Sequence, residues 1–277
     1  MKTTYKILYK AYGSQGWWPI INNKSLLCEY HTKAPKNEQE RFEILIGAIL
    51  AQNTQWYPNV VRAIQQLKLE RQLTKQEQEE LKEAEINYKK ISGNNKLITK
   101  GKILTQNTAW ANVEKAIYNL NKAKLLDAKK IAKAGIKKIA SLVKPAGYYN
   151  QKAERLKTAA NYFLKNKSVF EKSAKEMREE LLKVKGIGPE TADSIVLYAF
   201  EKPSFVIDAY TRRIFSRLGI CKENDKYEEI QKLFESRLPL DTELFKEYHA
   251  LIVEHAKRHC KKKPLCGGCV LRMKCAY

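Results

Sequence analysis

The sequence predicts an all-α protein, and three observations carry that prediction. Leu, Lys, Ala, Glu and Ile dominate its 277 residues, and four of these five are strong helix formers. Only 12 Gly and 8 Pro interrupt them, and no stretch supports a substantial sheet. The length exceeds the roughly 100–200 residues of one ordinary domain and suits two. Lys and Arg outnumber Asp and Glu by 52 to 30, a net charge of +22. Such an excess on a chain that is 44% hydrophobic excludes a disordered basic tail and favours a folded body with a polyanionic partner, nucleic acid before membrane. The longest apolar run, Ile44 to Ala51, falls far short of the roughly 18 residues of a spanning helix. No export signal follows the basic start at Lys2, so an intracellular setting is expected.

In chain order, Gly13 to Pro19 carries the adjacent pair Trp17 and Trp18 ahead of the helical body. Phe42 to Leu50 is apolar on most sides, which predicts a central, nearly surrounded helix. Residues 67–102 are charged and glutamine-rich and read as a solvated helical insertion, broken near Ser92-Gly93-Asn94-Asn95. Ile49 to Trp56 recurs as Ile103 to Trp110 with the Gln-Asn-Thr core intact, which points to a duplication. Only the first copy follows the full apolar helix, so Gln52 and Trp56 take the functional assignment and Gln106 and Trp110 are a spare copy. Lys137 to Val143 should close a helix before the turn Lys144-Pro145-Ala146-Gly147, and Tyr149 to Leu164 resumes a helical pattern.

Leu181 to Ala192 reads as a helix end, a Gly-x-Gly turn and a second helix. The turn glycines Gly186 and Gly188 leave backbone N–H groups exposed, and Pro189 suits the first position of the next helix. With Lys185 and Ile187 they form a seat for a backbone phosphate at a helix N-terminus. Pro203 to Ile207 then forms a short extended stretch that delivers Asp208 to the start of a helix running to about Leu218, with Gly219 as its cap. Asp208 reads both as an N-cap and as a catalytic carboxylate, because a helix N-terminus also keeps an acid ionised.

Four of six cysteines stand together as Cys260-x5-Cys266-x2-Cys269-x5-Cys275 among basic residues. Such a set reads as metal ligands rather than as a disulfide framework. Zinc is usually held by two close pairs, whereas only Cys266 and Cys269 are close; the wider loop suits a [4Fe–4S] cluster better, with zinc the alternative. Cys28 and Cys221 read as small buried hydrophobes, and His249, His255 and His259 as surface or cluster-adjacent side chains.

Ala51-Gln52-Asn53-Thr54, the run Lys144 to Ala153, the hairpin, Val206-Ile207-Asp208 and the four cysteines together resemble the endonuclease III, helix-hairpin-helix DNA glycosylase superfamily. The resemblance implies two helical domains flanking a DNA-binding cleft: residues 36–203, containing the hairpin (181–200), and residues 1–35 with 204–277. It implies Asp208 as the catalytic carboxylate, Gln52 as the wedge that fills the duplex, and a [4Fe–4S] cluster on Cys260, Cys266, Cys269 and Cys275. The partner is then double-stranded DNA with a damaged base, engaged by a monomer.

One departure is informative. Bifunctional members of that superfamily place a Schiff-base lysine where this chain has Glu190. A carboxylate forms no imine, so weak or absent lyase activity is expected. Trp17, Trp18 and Trp56 resemble the aromatic base pocket of the branch that excises 3-methyladenine, a cationic base suited to indole stacking. The expected function is a monofunctional base-excision-repair glycosylase on alkylated purines. The alternatives are an endonuclease III-like glycosylase/AP lyase on oxidised pyrimidines or mismatched thymine or uracil, and a non-catalytic DNA-binding module.

Overall fold

A computed structural model describes residues 1–22, 28–30, 34–52 and 110–277. These form helices α1 (Lys2–Tyr12), α2 (Glu38–Ala51), α3 (Trp110–Lys122), α4 (Ala128–Lys133), α5 (Ile136–Val143), α6 (Tyr149–Lys165), α7 (Ala174–Leu182), α8 (Pro189–Ser194), α9 (Ala209–Arg217), α10 (Tyr227–Glu235) and α11 (Thr242–Arg258). The strands among the described residues are β1 (Ile20–Ile21) and β2 (Cys28–Glu29), an antiparallel pair. The first helix packs on the last, and α9 also packs on α11. Trp56, Gln106 and the 67–102 insertion lie outside the described residues; Trp110 opens α3. No described helix is long and apolar enough to cross a membrane.

Helix α2 is the central element. Asn37 caps it by accepting the Glu40 N–H at 2.9 Å, and every residue from Phe42 to Leu50 is buried. Full burial of each of its Ile and Leu side chains is worth about 1.5–3 kcal/mol relative to exposure. Gly47 lets the N-terminal arm lie on this helix: a Cβ there would stand 3.0 Å from Trp18 Nε1. Glu43 ties the same arm down, accepting the Ile21 N–H at 2.6 Å, and burial pushes its carboxyl up to about 8. At the other end Lys152 Nζ donates to Leu50 O and Ala146 O, both at 2.7 Å, with burial bringing the ammonium down to about 8. Lys152 thereby joins the C-terminus of α2 to the 3-10 turn Lys144–Ala146, which Gly147 closes at φ +68°. Gln52 leaves the helix just beyond this anchor.

Candidate functional site

The hairpin joins α7 to α8. Ser173 and Glu176 form a capping box that fixes the start of α7. Gly186 is required twice over: its φ is +93°, and a Cβ would meet Arg155 Cγ at 2.6 Å. Gly188 has an ordinary φ of −97°, and a Cβ there would touch nothing within 4 Å. Its bareness keeps the approach to the N-terminus of α8 open. Ile187 is buried beneath the turn, whereas Lys185 is exposed. Gln52 is bound to this hairpin: its Nε2 donates to Gly186 O at 2.8 Å and Thr191 Oγ1 at 3.0 Å, and Arg155 Nη1 donates to its Oε1. In this conformation the Gln52 amide is therefore engaged by protein, and entry into a duplex requires those three bonds to part.

The stretch that delivers Asp208 is extended, and side chains hold it in place of a sheet ladder. Phe205 N–H donates to Glu235 Oε1 at 2.9 Å, Gln231 Nε2 donates to Phe205 O at 2.9 Å, and Ile207 N–H donates to Tyr227 Oη at 3.1 Å. Ser204 Oγ donates to the fully buried Asp193 of α8, which also accepts Arg178 Nε at 2.8 Å. The hairpin's second helix and the carboxylate's mount are thus one hydrogen-bonded unit.

Asp208 caps α9, accepting the Thr211 N–H at 2.7 Å, and its side chain is only 12% exposed. Burial alone raises a carboxyl, but His249 and the Thr211 N–H outweigh it and hold Asp208 below the ordinary carboxylate value. Glu190, at the first turn of α8, moves the other way. Crowding first, and the Asp208 charge second, push its carboxyl up to about 8. By area Glu190 is exposed to water, which relieves the burial and screens the Asp208 charge, leaving the upward direction. Two acids thus lie within electrostatic reach of each other, Asp208 pushed down and Glu190 pushed up, the kind of divergence common at functional sites.

The indoles differ from the expected base-stacking pocket, because Trp17 and Trp18 are packed into the core. Trp17 and Trp18 are each 7% exposed and meet edge to face at 77°, so they do not form parallel walls for one base. Trp18 is spent against Gly47 and Tyr198. Trp17 lies edge-on to His249, with ring centroids 6.0 Å apart, one residue removed from Asp208. His249 also departs from expectation. It is 5% exposed and stands beside Asp208 rather than at the surface or the cysteine loop. Nothing local marks it, because its partners come from distant parts of the chain.

His255 and His259 do line the pocket shared by Cys260, Cys266, Cys269 and Cys275. The four thiols face one largely apolar cavity whose donors suit sulfur: Arg217 Nη1 reaches Cys260 Sγ at 3.2 Å, and His255 Nε2 lies 3.7 Å from Cys269 Sγ. Among the described residues no three such donors converge on a single ion. Four cysteine sulfurs around one cavity are a donor set that either an iron–sulfur group or zinc can take.

Comparison with known proteins agrees with this geometry. Residues 101–240 match the profile of the HhH-GPD superfamily base excision DNA repair proteins. The chain is 51% identical over 181 residues to a candidate DNA repair glycosylase of Methanocaldococcus jannaschii, covering 63% of this chain and 82% of that protein. It is 32% identical over 177 residues to endonuclease III of Sulfolobus acidocaldarius, covering 63% and 78%. Among solved structures, a non-covalent endonuclease III–DNA complex shares the fold, with TM-score 0.63, 18% identity and coverage of 99% and 92%. The H. pylori 3-methyladenine DNA glycosylase bound to 1,N6-ethenoadenine is similar at TM-score 0.56 and 26% identity, covering 92% and 96%. With its hairpin, its ionised acid at a helix start and its cysteine loop in place, the chain belongs to the HhH-GPD superfamily of base excision DNA repair proteins and is a DNA glycosylase.

Proposed function

We propose that this glycosylase is monofunctional and removes alkylated purines such as 3-methyladenine from duplex DNA by base flipping and hydrolysis. The observation that carries the proposal is the placement of Asp208, largely buried at the start of α9 where it accepts the Thr211 N–H at 2.7 Å, with Glu190 rather than an amine within reach of its charge. As the base departs, the deoxyribose acquires oxocarbenium character, and the ionised Asp208 stabilises it and orients or deprotonates water. Glu190 has no amine and cannot form an imine. An alkylated purine is already cationic and leaves readily, so no strong general acid is needed. The likeness to the H. pylori 3-methyladenine glycosylase supports the same lesion class. The hairpin residues Lys185, Gly186, Ile187 and Gly188 seat a phosphate, and Gln52, released from Arg155 and Gly186, fills the vacated stack. Cys260, Cys266, Cys269 and Cys275 would hold a [4Fe–4S] cluster that supplies structural cross-linking of the C-terminal loop.

Single-turnover base release on methylated duplex DNA, run beside oxidised pyrimidine, uracil and mismatched thymine duplexes, tests this reading. Release of 3-methyladenine without direct nicking is expected. Asp208→Asn should lower the rate by about 10²–10⁴-fold while sparing DNA binding. A borohydride-trapped imine, or release confined to pyrimidines, overturns it.

A further inference from the structure

We propose that His249 and Tyr198 form a relay that orients Asp208, with Tyr198 fixing His249 in the tautomer that presents an N–H to the acid. The inference rests on Asp208 being the reacting carboxylate. Tyr198 Oη lies 2.7 Å from His249 Nδ1 and 3.4 Å from Lys246 O. A hydroxyl has one proton to give, and the shorter contact takes it, so Nδ1 accepts and the neutral ring carries its proton on Nε2. That atom is buried, makes no hydrogen bond among the described residues, and stands 3.7 Å from Asp208 Oδ2. A buried, unpaired donor is costly unless it is completed, and a small ring rotation brings it within bonding range of the carboxylate. Catalytic contacts commonly tighten in this way when substrate arrives.

The surroundings hold the ring in that orientation. Trp17 lies at 88° to His249, and the tyrosine ring is 1% exposed. The Lys246 ammonium is taken up by Glu201 and Glu243, at 2.9 and 2.8 Å. The charged or titratable groups facing the relay are Asp208 at the cap of α9, Glu190 on α8, Tyr198 itself, and Glu247 on α11, whose charge acts on Tyr198. The arrangement inverts the usual serine-hydrolase order: the histidine is the positioning residue, and the acid faces the substrate.

The test uses the full-length protein with its cluster. Nitrogen-15 NMR of His249 should show the Nε2–H tautomer at pH 7 in the wild type and a mixture in Tyr198→Phe. Carboxyl carbon-13 NMR should show Asp208 titrating at higher pH in His249→Phe, with His249→Gln, which keeps a donor, restoring much of the wild-type value. In single-turnover assays the acid limb should move up in His249→Phe, so that the rate at pH 5 relative to pH 7 falls several-fold below the wild-type ratio. A merely structural role would lower the rate equally at all pH values. An Nδ1–H tautomer in the wild type, or an unmoved Asp208 titration in His249→Phe, overturns the relay. Full activity of Asp208→Asn would instead remove its catalytic meaning while leaving the NMR result intact, so the two failures are distinguishable.

Discussion

The two hairpin glycines should respond oppositely to the same substitution. Gly186→Ala places a Cβ 2.6 Å from Arg155 Cγ on a residue at φ +93°. The left-handed conformation costs about 1–2 kcal/mol for an L residue, and forcing Arg155 aside adds about 1–3 kcal/mol as an overpacking penalty. The sum, about 2–5 kcal/mol, corresponds to a fall in melting temperature on the order of 5–15 °C for a chain of this size. Displacing Arg155 also frees the Gln52 carbonyl from its donor. Gly188→Ala meets nothing within 4 Å and sits at φ −97°, so the fold should be unaffected, or gain about 0.4–1 kcal/mol from a stiffer unfolded chain. Its methyl group instead occupies the approach to the α8 N-terminus. Calorimetry and duplex-DNA binding at two salt concentrations separate the effects: Gly186→Ala should melt early, and Gly188→Ala should melt normally but bind DNA more weakly. If Gly186→Ala melts like the wild type the turn geometry is wrong, and if Gly188→Ala binds like the wild type no phosphate sits there.

Three further outcomes are expected. Glu43, raised to about 8 in the fold from 4.5, lends its full contribution below about pH 4.5 and loses it as pH climbs toward 8, because the unfolded chain ionises first. Glu43→Gln keeps an acceptor for the Ile21 N–H, so its melting temperature should decline less between pH 5 and 8, the relief at pH 7 being at most about 3 kcal/mol; parallel melting profiles would refute the burial argument. Glu190→Lys sets an amine beside Asp208 and should yield a borohydride-trappable adduct with cleaved DNA on gels, where the wild type gives none. Cys269→Ser should bleach the broad absorbance expected near about 400 nm from thiolate-to-iron charge transfer; a colourless wild type containing zinc would reassign the loop.

Features written in consecutive residues were legible before any coordinates. Phe42 to Leu50 announced a buried helix by composition, and the turn glycines and Pro189 announced the hairpin because they specify backbone angles. Asp208 and the cysteines were marked by spacing. Some helix boundaries moved by only a residue, as at Tyr149–Lys165 and Ala209–Arg217, whereas the central helix begins at Glu38, ahead of the apolar run that starts at Phe42. What stayed hidden depends on contacts between distant segments. The partner of His249 at its Nδ1 lies 51 positions away, Gln52 meets Gly186 across 134, and Lys152 meets Leu50 across 102. Likewise the Trp17-Trp18 pair suggested a stacking pocket by type alone, whereas Gly47 admits Trp18 into the body of the protein.

Helix α9 links the two ends of the site mechanically. Asp208 sits at its head, and Arg217, in its last turn, donates to Lys261 O at 2.8 Å and Lys262 O at 2.9 Å, while Arg213 Nε holds Cys260 O at 2.8 Å. Both grips are keyed to one spiral that advances about 100° per residue. Adding or removing a single residue between them would swing the acid to a different compass bearing while its tail stayed clamped. The length of this short rod, nine residues, is therefore as constrained as the identity of any side chain on it, and a graft of the acid onto another scaffold must bring along the clamp that sets its heading.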